Sequence, residues 1–496
     1  NKVMWPFTLR TTKRLKSMLS KLEQHITMEN SVLSEALVSY KQLDQLAYRM
    51  GLLSRDESFA LRIAWWPMIS ILGTFSSGKS TFINDYLGQD LQTTGNQAVD
   101  DKFTVICFGG EGEPRVLPGM ALNGDARFPF YQISREIEKV AEGEGRRIDS
   151  FLQLKTSNAD HIKRKIIIDS PGFDADAQRN SILRISSHII DLSDLVLLFF
   201  DARHPEPGAM QDTLNHLVEA TVGRQDANKF MYILNQIDTA AREDNPEDVV
   251  GAWQRALAQK GLTAGRFFTI YNEKASVQID DETRKARFQS KRDADLADIT
   301  DRMAEVEVER SYRIVGGIEK LAKYIEESIV PELKGYISRW RTRVLWGDAV
   351  FAVLIAVIAG AGVSALGMDY NQLMAWATTN KVLAIAAAVA IFGLYLSLHF
   401  WWRRKVARKI EKRIPEQKGP GDPNLRLAFR NSVRFNRSVF QLDPVGWGKR
   451  TIRKMESIIQ SANQQTELLN DRYTDPSGKR TELASLDSMN GGELKI

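Results

Sequence analysis

The chain has 496 residues, with 67 Lys and Arg against 62 Asp and Glu, for a formal net charge of +5. That length allows more than one domain, and a charge this modest does not by itself imply nucleic acid. The single cysteine, Cys107, excludes a disulfide framework and a cysteine-built metal site.

The chain starts at Asn1, which fits a processed or truncated beginning. Lys2, Arg10, Lys13, Arg14, Lys16 and Lys21 all precede the first acidic residue, Glu23. Such a start fits a surface helix, a membrane-touching helix or an organellar targeting segment. Leu15, Met18, Leu19, Leu22 and Ile26 recur at helical spacing, so residues 1–60 are expected to form a helical arm.

Residues 68–72, MISIL, read as a buried strand, and GTFSSGKST follows at 73–81. This fits G-x-x-x-x-G-K-[ST] with Gly73, Gly78, Lys79 and Ser80. The glycines let the backbone curl so that successive N–H groups point at phosphate oxygens. Gly73, Ser76, Ser77, Gly78, Lys79, Ser80 and Thr81 form the expected phosphate cradle. Lys79 neutralises the β/γ-phosphates and the Ser80 hydroxyl takes a place on Mg²⁺. The helix that follows turns its N-terminus to the phosphates.

A second apolar strand ends at Asp169 in KIIIDSPGF, residues 165–173. Asp, Pro and Gly favour any strand-to-turn junction. This one follows a P-loop by about 90 residues, which favours Asp169 as a holder of the Mg²⁺ shell and the Gly172 amide as a γ-phosphate sensor. DLVLLFFDA at 194–202 is one more buried strand, and QDTLNHLVEA at 211–220 reads as a helix. The strand in KFMYILNQID, 229–238, ends in Asn235 and Asp238. A carboxylate at Asp238 accepts hydrogens from N1 and N2 of guanine, and Asn235 ties this loop to the P-loop. RFFTIYN at 266–272 is the last strand, and the loop after it is expected to cap the base. Alternating strands and helices predict an α/β layered P-loop domain over 61–283.

Residues 284–345 are charge-rich and helical in pattern, a neck or stalk. AVFAVLIAVIAGAGVSALGM at 349–368 and VLAIAAAVAIFGLYLSLHF at 382–400 contain no Asp, Glu, Lys or Arg. Within 346–402 they predict a two-helix transmembrane hairpin, because about 20 apolar residues span the hydrocarbon. A buried soluble pair and a hairpin dipping into one leaflet are the alternatives. Gly360, Ala361, Gly362, Ser364 and Ala365 would permit close packing. Arg341 and Arg343 precede the first span, and Arg403, Arg404, Lys405, Arg408 and Lys409 follow the second. The link holds only Asp369 and Lys381. Basic residues favour the cytoplasmic side, so both termini are expected there. Residues 403–470 read as a basic helical region broken by KGPGDPN at 418–424, and 471–496 as a flexible tail.

The pieces GTFSSGKSTFI, DDKFTVICFG, IIDSPGF, LFFDARHPEPGAMQDTLNHL, ILNQID and VGAWQRAL, in this order, resemble the dynamin superfamily. The nucleotide domain looks closest to the EHD-type ATPases and their bacterial relatives. The resemblance implies that Lys79 and Gly172 contact the transferred phosphate. It places Ser76 near the attacking water and a charge-compensating cation, and Ser80 and Asp169 on Mg²⁺. Asn235 and Asp238 correspond to the base pair of recognition residues. Three departures stand out. Phe75 occupies the position of a glutamine in dynamins, as an aromatic does in EHD-type proteins. Gln97-Ala98-Val99-Asp100-Asp101 lacks the first-switch threonine, for which Thr93, Thr94 and, less well placed, Thr104 are candidates. Gln236 replaces the base-stacking lysine. EHD-type proteins prefer adenine despite an Asn-x-x-Asp pattern, so the resemblance leaves ATP open beside GTP.

The leading expectation is a GTP-hydrolysing, Mg²⁺-dependent membrane-remodelling enzyme. Its expected partners are a lipid bilayer and a second copy through its G domains, with no nucleic acid. A nucleotide-gated scaffold or switch with little hydrolysis, an EHD-like ATPase and a transporter component are the alternatives. A bacterial inner membrane is the default location, with an organellar membrane open.

Overall fold

The computed structural model describes residues 11–73, 76–94, 102–128, 138, 148–171, 179–203, 227–242, 246–259, 261–262, 265–279, 281–416 and 422–474. The expected helix at 211–220, Gly172, Phe75 and residues 97–101 lie outside these. The chain divides into two units. One comprises Asn1–Lys16, Glu35–Ala60 and Val315–Glu467, and the other Ser17–Ser34, Leu61–Ile314 and Leu468–Ile496.

The second unit is built on an eight-stranded sheet. Its strands are β1 (Met68–Gly73), β2 (Phe103–Phe108), β3 (Arg115–Pro118), β4 (Leu152–Ser157), β5 (Ile166–Asp169), β6 (Leu195–Asp201), β7 (Phe230–Asn235) and β8 (Arg266–Thr269), in the order β3-β4-β2-β5-β1-β6-β7-β8. β1 lies at the centre, parallel to both β5 and β6, and β7 and β8 continue the parallel run. β2 runs antiparallel to β5, and β3 antiparallel to β4. Every residue of β1, β6 and β7 is buried. That is why these strands read as continuous apolar runs rather than as alternation: both faces of a parallel sheet are covered. All four residues of β3 are exposed, so it carries no such signal.

Three helices follow strands on the way to the site: α3 (Lys79–Leu87), α4 (Arg179–Leu192) and α5 (Pro246–Gln259). Before the sheet come α1 (Lys13–Glu29) and α2 (Ser34–Met50), and after it the long α6 (Glu282–Lys323). Leu15, Met18, Leu22 and Ile26 of α1 are buried, as their spacing predicts. Within the sheet unit, α6 presents one face to the core. Ile299, Met303 and Val306 join the cluster containing Ile69, Ile71, Leu197 and Ile233. Polar contacts flank that stripe on the same face, since the spacings are three or four residues. Asp295 accepts from the Thr269 amide at 2.7 Å. Arg310 and Arg313 both pair with Asp194, Arg313 at 2.6 Å. Asp194 also accepts from the amide of Met68, the first residue of β1, at 2.9 Å.

In the other unit a π-helical stretch, Tyr324–Ile329, continues α6 directly into α7 (Val330–Ala365). Pro331 has no N–H to give the preceding turn, and a widened turn accommodates the missing bond. The stretch expected to be a helical neck is therefore part of one nearly unbroken helical run. α8 (Tyr370–Thr379), α9 (Lys381–Glu411), α10 (Leu425–Ser432) and α11 (Lys449–Thr474) follow. The link between the apolar runs is itself helical, and Asp369 and Gln372 close a capping box at its start. α11 continues three residues past Asp471, where the tail was expected to begin.

α7 and α9 contain windows long and apolar enough to cross a membrane, only 11% and 0% buried. Val353, Val357, Ile358, Val382, Leu383, Val389 and Phe392 are exposed. A core helix pair of a soluble bundle would bury these side chains. The two helices meet at their charged ends. His399 Nδ1 lies 2.9 Å from both carboxylate oxygens of Asp348, and Trp402 Nε1 donates to the Arg343 carbonyl at 3.0 Å. The close approach is at Gly347, where a Cβ would lie 2.0 Å from Trp402 Nε1. At Gly360 and Gly362 a Cβ would meet nothing within 4 Å, so these two glycines are not where the helices touch.

Candidate nucleotide site

The P-loop is a tight connection between β1 and α3, and three residues keep it tight. Ser76 and Gly78 have φ of 60° and 85°, the left-handed region that glycine tolerates and serine rarely adopts. At Gly73 a Cβ would lie 2.6 Å from the Phe199 carbonyl oxygen, so only glycine lets β1 run this close to β6. Lys79 is buried in the first turn of α3 and its Nζ donates to the Gly73 carbonyl at 3.0 Å. Ser80 and Thr81, both half-buried, follow it in the same turn, and Ser77 is fully buried. Together they set a cation, a helix N-terminus and a hydroxyl at one turn, the equipment for holding phosphate.

The base-side loop is clipped onto the P-loop by two amides. Asn235 Nδ2 donates to the Ser77 carbonyl at 2.9 Å, and Gln236 Nε2 donates to the Ser76 carbonyl at 2.6 Å. Gln236 itself has a φ of 62°. Its side chain, at the position of the base-stacking lysine, is thus spent on the P-loop backbone. At Gly78 a Cβ would fall 2.1 Å from Asn235 Nδ2, so this glycine is required by the clip as much as by its own φ.

Asp238 is buried, and burial pushes its carboxyl above the ordinary aspartate value. Backbone N–H groups oppose that shift. Val277 donates to Oδ2 at 2.8 Å, and the amides of Asp238 and Thr239 contribute as well. The carboxylate fastens the loop after β8. Beside α3 lies a cavity of about 270 Å³ whose walls include Gly78, Thr81, Asp85, Asn235, Tyr271 and Asn272. It joins the P-loop helix to the end of the last strand, where the base was expected. Asp238 is not among its walls.

Asp169 ends β5, buried and in register with Ile71 of β1. Its Oδ2 accepts from Gln92 Nε2 at 2.5 Å, and Gln92 Oε1 accepts from Lys155 Nζ at 2.5 Å. Asn84 of α3 holds the Gln92 backbone at both its N–H and its carbonyl, each at 2.8 Å. Gln92 stands just before Thr93 and Thr94, both exposed. Thr104, the third candidate for the first switch, is buried in β2 opposite Asp169. Sequence reasoning missed Gln92 and Lys155. It quoted the segment holding Arg203 and gave that residue no role. Asp201 grips Arg203 in a bidentate pair, Nη2 to Oδ2 at 2.6 Å, and this raises the guanidinium pKa. The same Nη2 lies 3.4 Å from the Ser76 carbonyl.

Among the described residues no group of three or more His, Cys, Asp or Glu could hold a metal by itself. Ser80 and Asp169 are hard oxygen donors, and Mg²⁺ commonly takes one or two protein ligands and fills its shell with phosphate and water. The donor set fits Mg²⁺ delivered with a nucleotide.

Residues 69–237 match the profile of the dynamin family. Among curated proteins, human EH domain-containing protein 1 is 29% identical over 182 residues, 35% of this chain and 31% of that protein. Rat EH domain-containing protein 3 is 27% identical over 180 residues, and EH domain-containing protein 2 of Arabidopsis thaliana 26% over 181. The match spans about a third of these relatives' length. A solved structure described as an oligomerised bacterial dynamin pair for long-range sensing and tethering of membranes aligns over 97% of this chain and 79% of that one. Its TM-score is 0.33 at 12% identity. The chain thus carries a P-loop region with affinity to the dynamin and EHD superfamily, beside two helices of membrane-spanning length and composition.

Proposed function

We propose that this chain is a membrane-anchored, EHD-like nucleoside triphosphatase that binds ATP with Mg²⁺ and uses nucleotide-dependent self-association to reshape or tether a bilayer. The observation that carries the nucleotide reading is the P-loop itself, with Lys79 buried at the N-terminus of α3 and Asn235 and Gln236 bonded to its backbone. Gly73 to Thr81 hold the phosphates, Lys79 and the backbone amides stabilise charge developing on the transferred group, and Ser80 with Asp169 hold Mg²⁺. The chemistry Mg²⁺ would supply there is to offset the negative charge of the phosphates. Gly172 is assigned the γ-phosphate contact. Ser76, held at positive φ beside Arg203, is assigned to the attacking water and its compensating cation.

The choice of adenine rests on Asp238. Its Oδ2 already accepts from the Val277 amide and the residue does not line the cavity beside α3, so guanine's N1 and N2 hydrogens would have to share a carboxylate already engaged in holding the loop. GTP is the second reading, favoured by the Asn235–Asp238 spacing. A nucleotide-gated scaffold without appreciable turnover is the third.

The test is steady-state hydrolysis of ATP and GTP with Mg²⁺ by the full chain, in detergent and in anionic-lipid vesicles. Lys79→Ala is expected to reduce turnover by about 10²-fold or more, the scale of losing one charge-stabilising donor. Preferred GTP turnover would overturn the base assignment and keep the class. Binding of either nucleotide without turnover would leave the gated scaffold.

A further inference from the structure

Residues 433–448 join α10 to α11, and they turn their apolar side chains the wrong way round for a loop that lives in water. The smaller Val433, Val439 and Pro444 are buried, while Phe435 and Phe440 are 72% and 74% exposed. Withdrawing large apolar rings from water is favourable, so two rings held outward point to a covering apolar phase.

The loop is fixed rather than dangling. Arg403 is buried with its guanidinium 5.0 Å from the centre of the Trp340 ring. Its Nη2 donates to the carbonyls of Arg434 and Arg437 at 2.5 and 2.6 Å and lies 3.4 Å from that of Val433. At the other end Ser432 Oγ accepts from the Val445 amide at 3.0 Å. Gly446, at a φ of 76°, lies against the Arg49 backbone, where a Cβ would approach within 2.9 Å.

The position of the anchor gives the depth. Arg403 follows Phe400, the end of the second apolar run, by three residues, about 4.5 Å along a helix. The headgroup zone of one leaflet is roughly 5–8 Å thick. Trp346 and Trp401, on the same ends of α7 and α9, are exposed too, and Lys405 lies 4.7 Å over the Trp401 ring. Aromatic rings with adjacent cations are what membrane–water boundaries select. Arg434 within the loop, Arg430 just before it and Arg404 and Lys405 next to the Arg403 anchor are exposed. Its one acid, Asp443, is neutralised by Lys334 at 2.8 Å.

We propose that the 433–448 loop is a second membrane-contacting element. Phe435 and Phe440 seat in the headgroup–acyl boundary of the leaflet where the hairpin begins, and Arg434 with its neighbours meets anionic headgroups. This rests on reading α7 and α9 as membrane spans, and the test separates the two. Full-length protein carrying Phe435→Cys or Phe440→Cys is labelled with an environment-sensitive fluorophore and reconstituted in phosphatidylethanolamine–phosphatidylglycerol vesicles. Cys107 is buried and burial pushes its thiol up to about 12, so labelling goes to the new cysteine. Lipids bearing a nitroxide near the headgroup are expected to quench both labels at least about two-fold more than a label at Asp160→Cys in water. Val389→Cys, in mid-span, reports the hairpin through a nitroxide near the chain end. A label at Ser438→Cys is expected to lose its quenching when Phe435→Asp and Phe440→Asp are combined, which excludes insertion driven by the fluorophore. Quenching at 389 with none at 435 and 440 would overturn the proposal and spare the hairpin. Labels shielded from both nitroxide lipid and aqueous iodide would overturn it in favour of a protein partner, such as a second copy. No quenching at 389 would overturn both readings.

Discussion

Gly78 shows how much of the site rests on a single missing atom. Its φ of 85° already disfavours any side chain, and a Cβ would land 2.1 Å from Asn235 Nδ2. Gly78→Ala must therefore break the bond from Asn235 to the Ser77 carbonyl. We expect a loss of about 1–3 kcal/mol in stability and nucleotide binding weakened at least ten-fold, read by denaturant unfolding and by titration. Unchanged affinity would show that the clip between the two loops does not shape the site. This residue was legible in the sequence because the P-loop is local, nine residues whose spacing fixes their job. Gln92 and Lys155 were not legible. Gln92 reaches Asp169 from 77 residues before it, and Lys155 reaches Gln92 from 63 residues after it, and only the tertiary fold brings the three together. Arg203 sat inside a segment that had been singled out, yet its distance from Ser76, 127 residues, concealed its role. Asp44 is a second residue whose state depends on its surroundings. It is buried on α2 and accepts from the Ser58 hydroxyl and the Phe59 amide at 2.5 and 2.7 Å. Burial outweighs these bonds and raises its pKa from 3.8 to about 7. The folded chain then binds a proton more tightly than the unfolded chain between those values. Its stability contribution is fully present below about pH 4 and is lost as pH rises toward 7. Asp44→Asn is expected to flatten the fall in melting temperature between pH 5 and pH 7.5 in thermal scans. An unaltered slope would assign that fall to other groups.

At the scale of elements, the long helix α6 is tied to the sheet where the P-loop strand begins. Asp194 accepts from the Met68 amide and faces both Arg310 and Arg313. Four residues earlier than Arg310, Val306 is in the apolar core with Ile69 and Ile71 of the same strand. β1 and α6 are therefore joined through packing and charge at once. Asp194→Asn keeps an oxygen for Met68 but leaves two guanidinium groups without their carboxylate. Breaking a buried pair costs about 3–5 kcal/mol, and because Arg313 is half-exposed the expected loss is about 3 kcal/mol, measured as a lowered urea midpoint at unchanged slope. A loss below about 0.5 kcal/mol would class the contact with solvent-screened surface pairs. The helix itself was legible from its charge-rich, helical pattern. Its continuity with α7 was not, because Pro331 reads as a break and the π-helical turn before it has no signature in one sequence. The exposed β3 was illegible for the opposite reason, having no buried face to imprint alternation.

For the whole molecule, the deciding question is on which side of a bilayer each part lies. Arg341 and Arg343 precede the first apolar run and Arg403, Arg404, Lys405, Arg408 and Lys409 follow the second, whereas the link carries only Asp369 and Lys381. We propose that the link carrying α8 faces the side opposite to both ends of the hairpin, as a positive-inside bias of this size favours. The contacts between α7 and α9 fit that arrangement, because the Asp348–His399 pair and the Trp402–Arg343 bond all lie at the basic end. Charged partners at that end can remain hydrated, while the exposed aliphatic residues beyond them cannot. The check is site-specific labelling in sealed vesicles with a membrane-impermeant maleimide, comparing Asn371→Cys on α8 with Arg450→Cys on α11. Both positions are exposed, so access depends on sidedness rather than on burial. One site is expected to react in intact vesicles and the other only after detergent. Reaction of both without detergent would make the hairpin a re-entrant or surface-lying element. That outcome would deny the chain a transmembrane anchor while leaving its P-loop chemistry untouched.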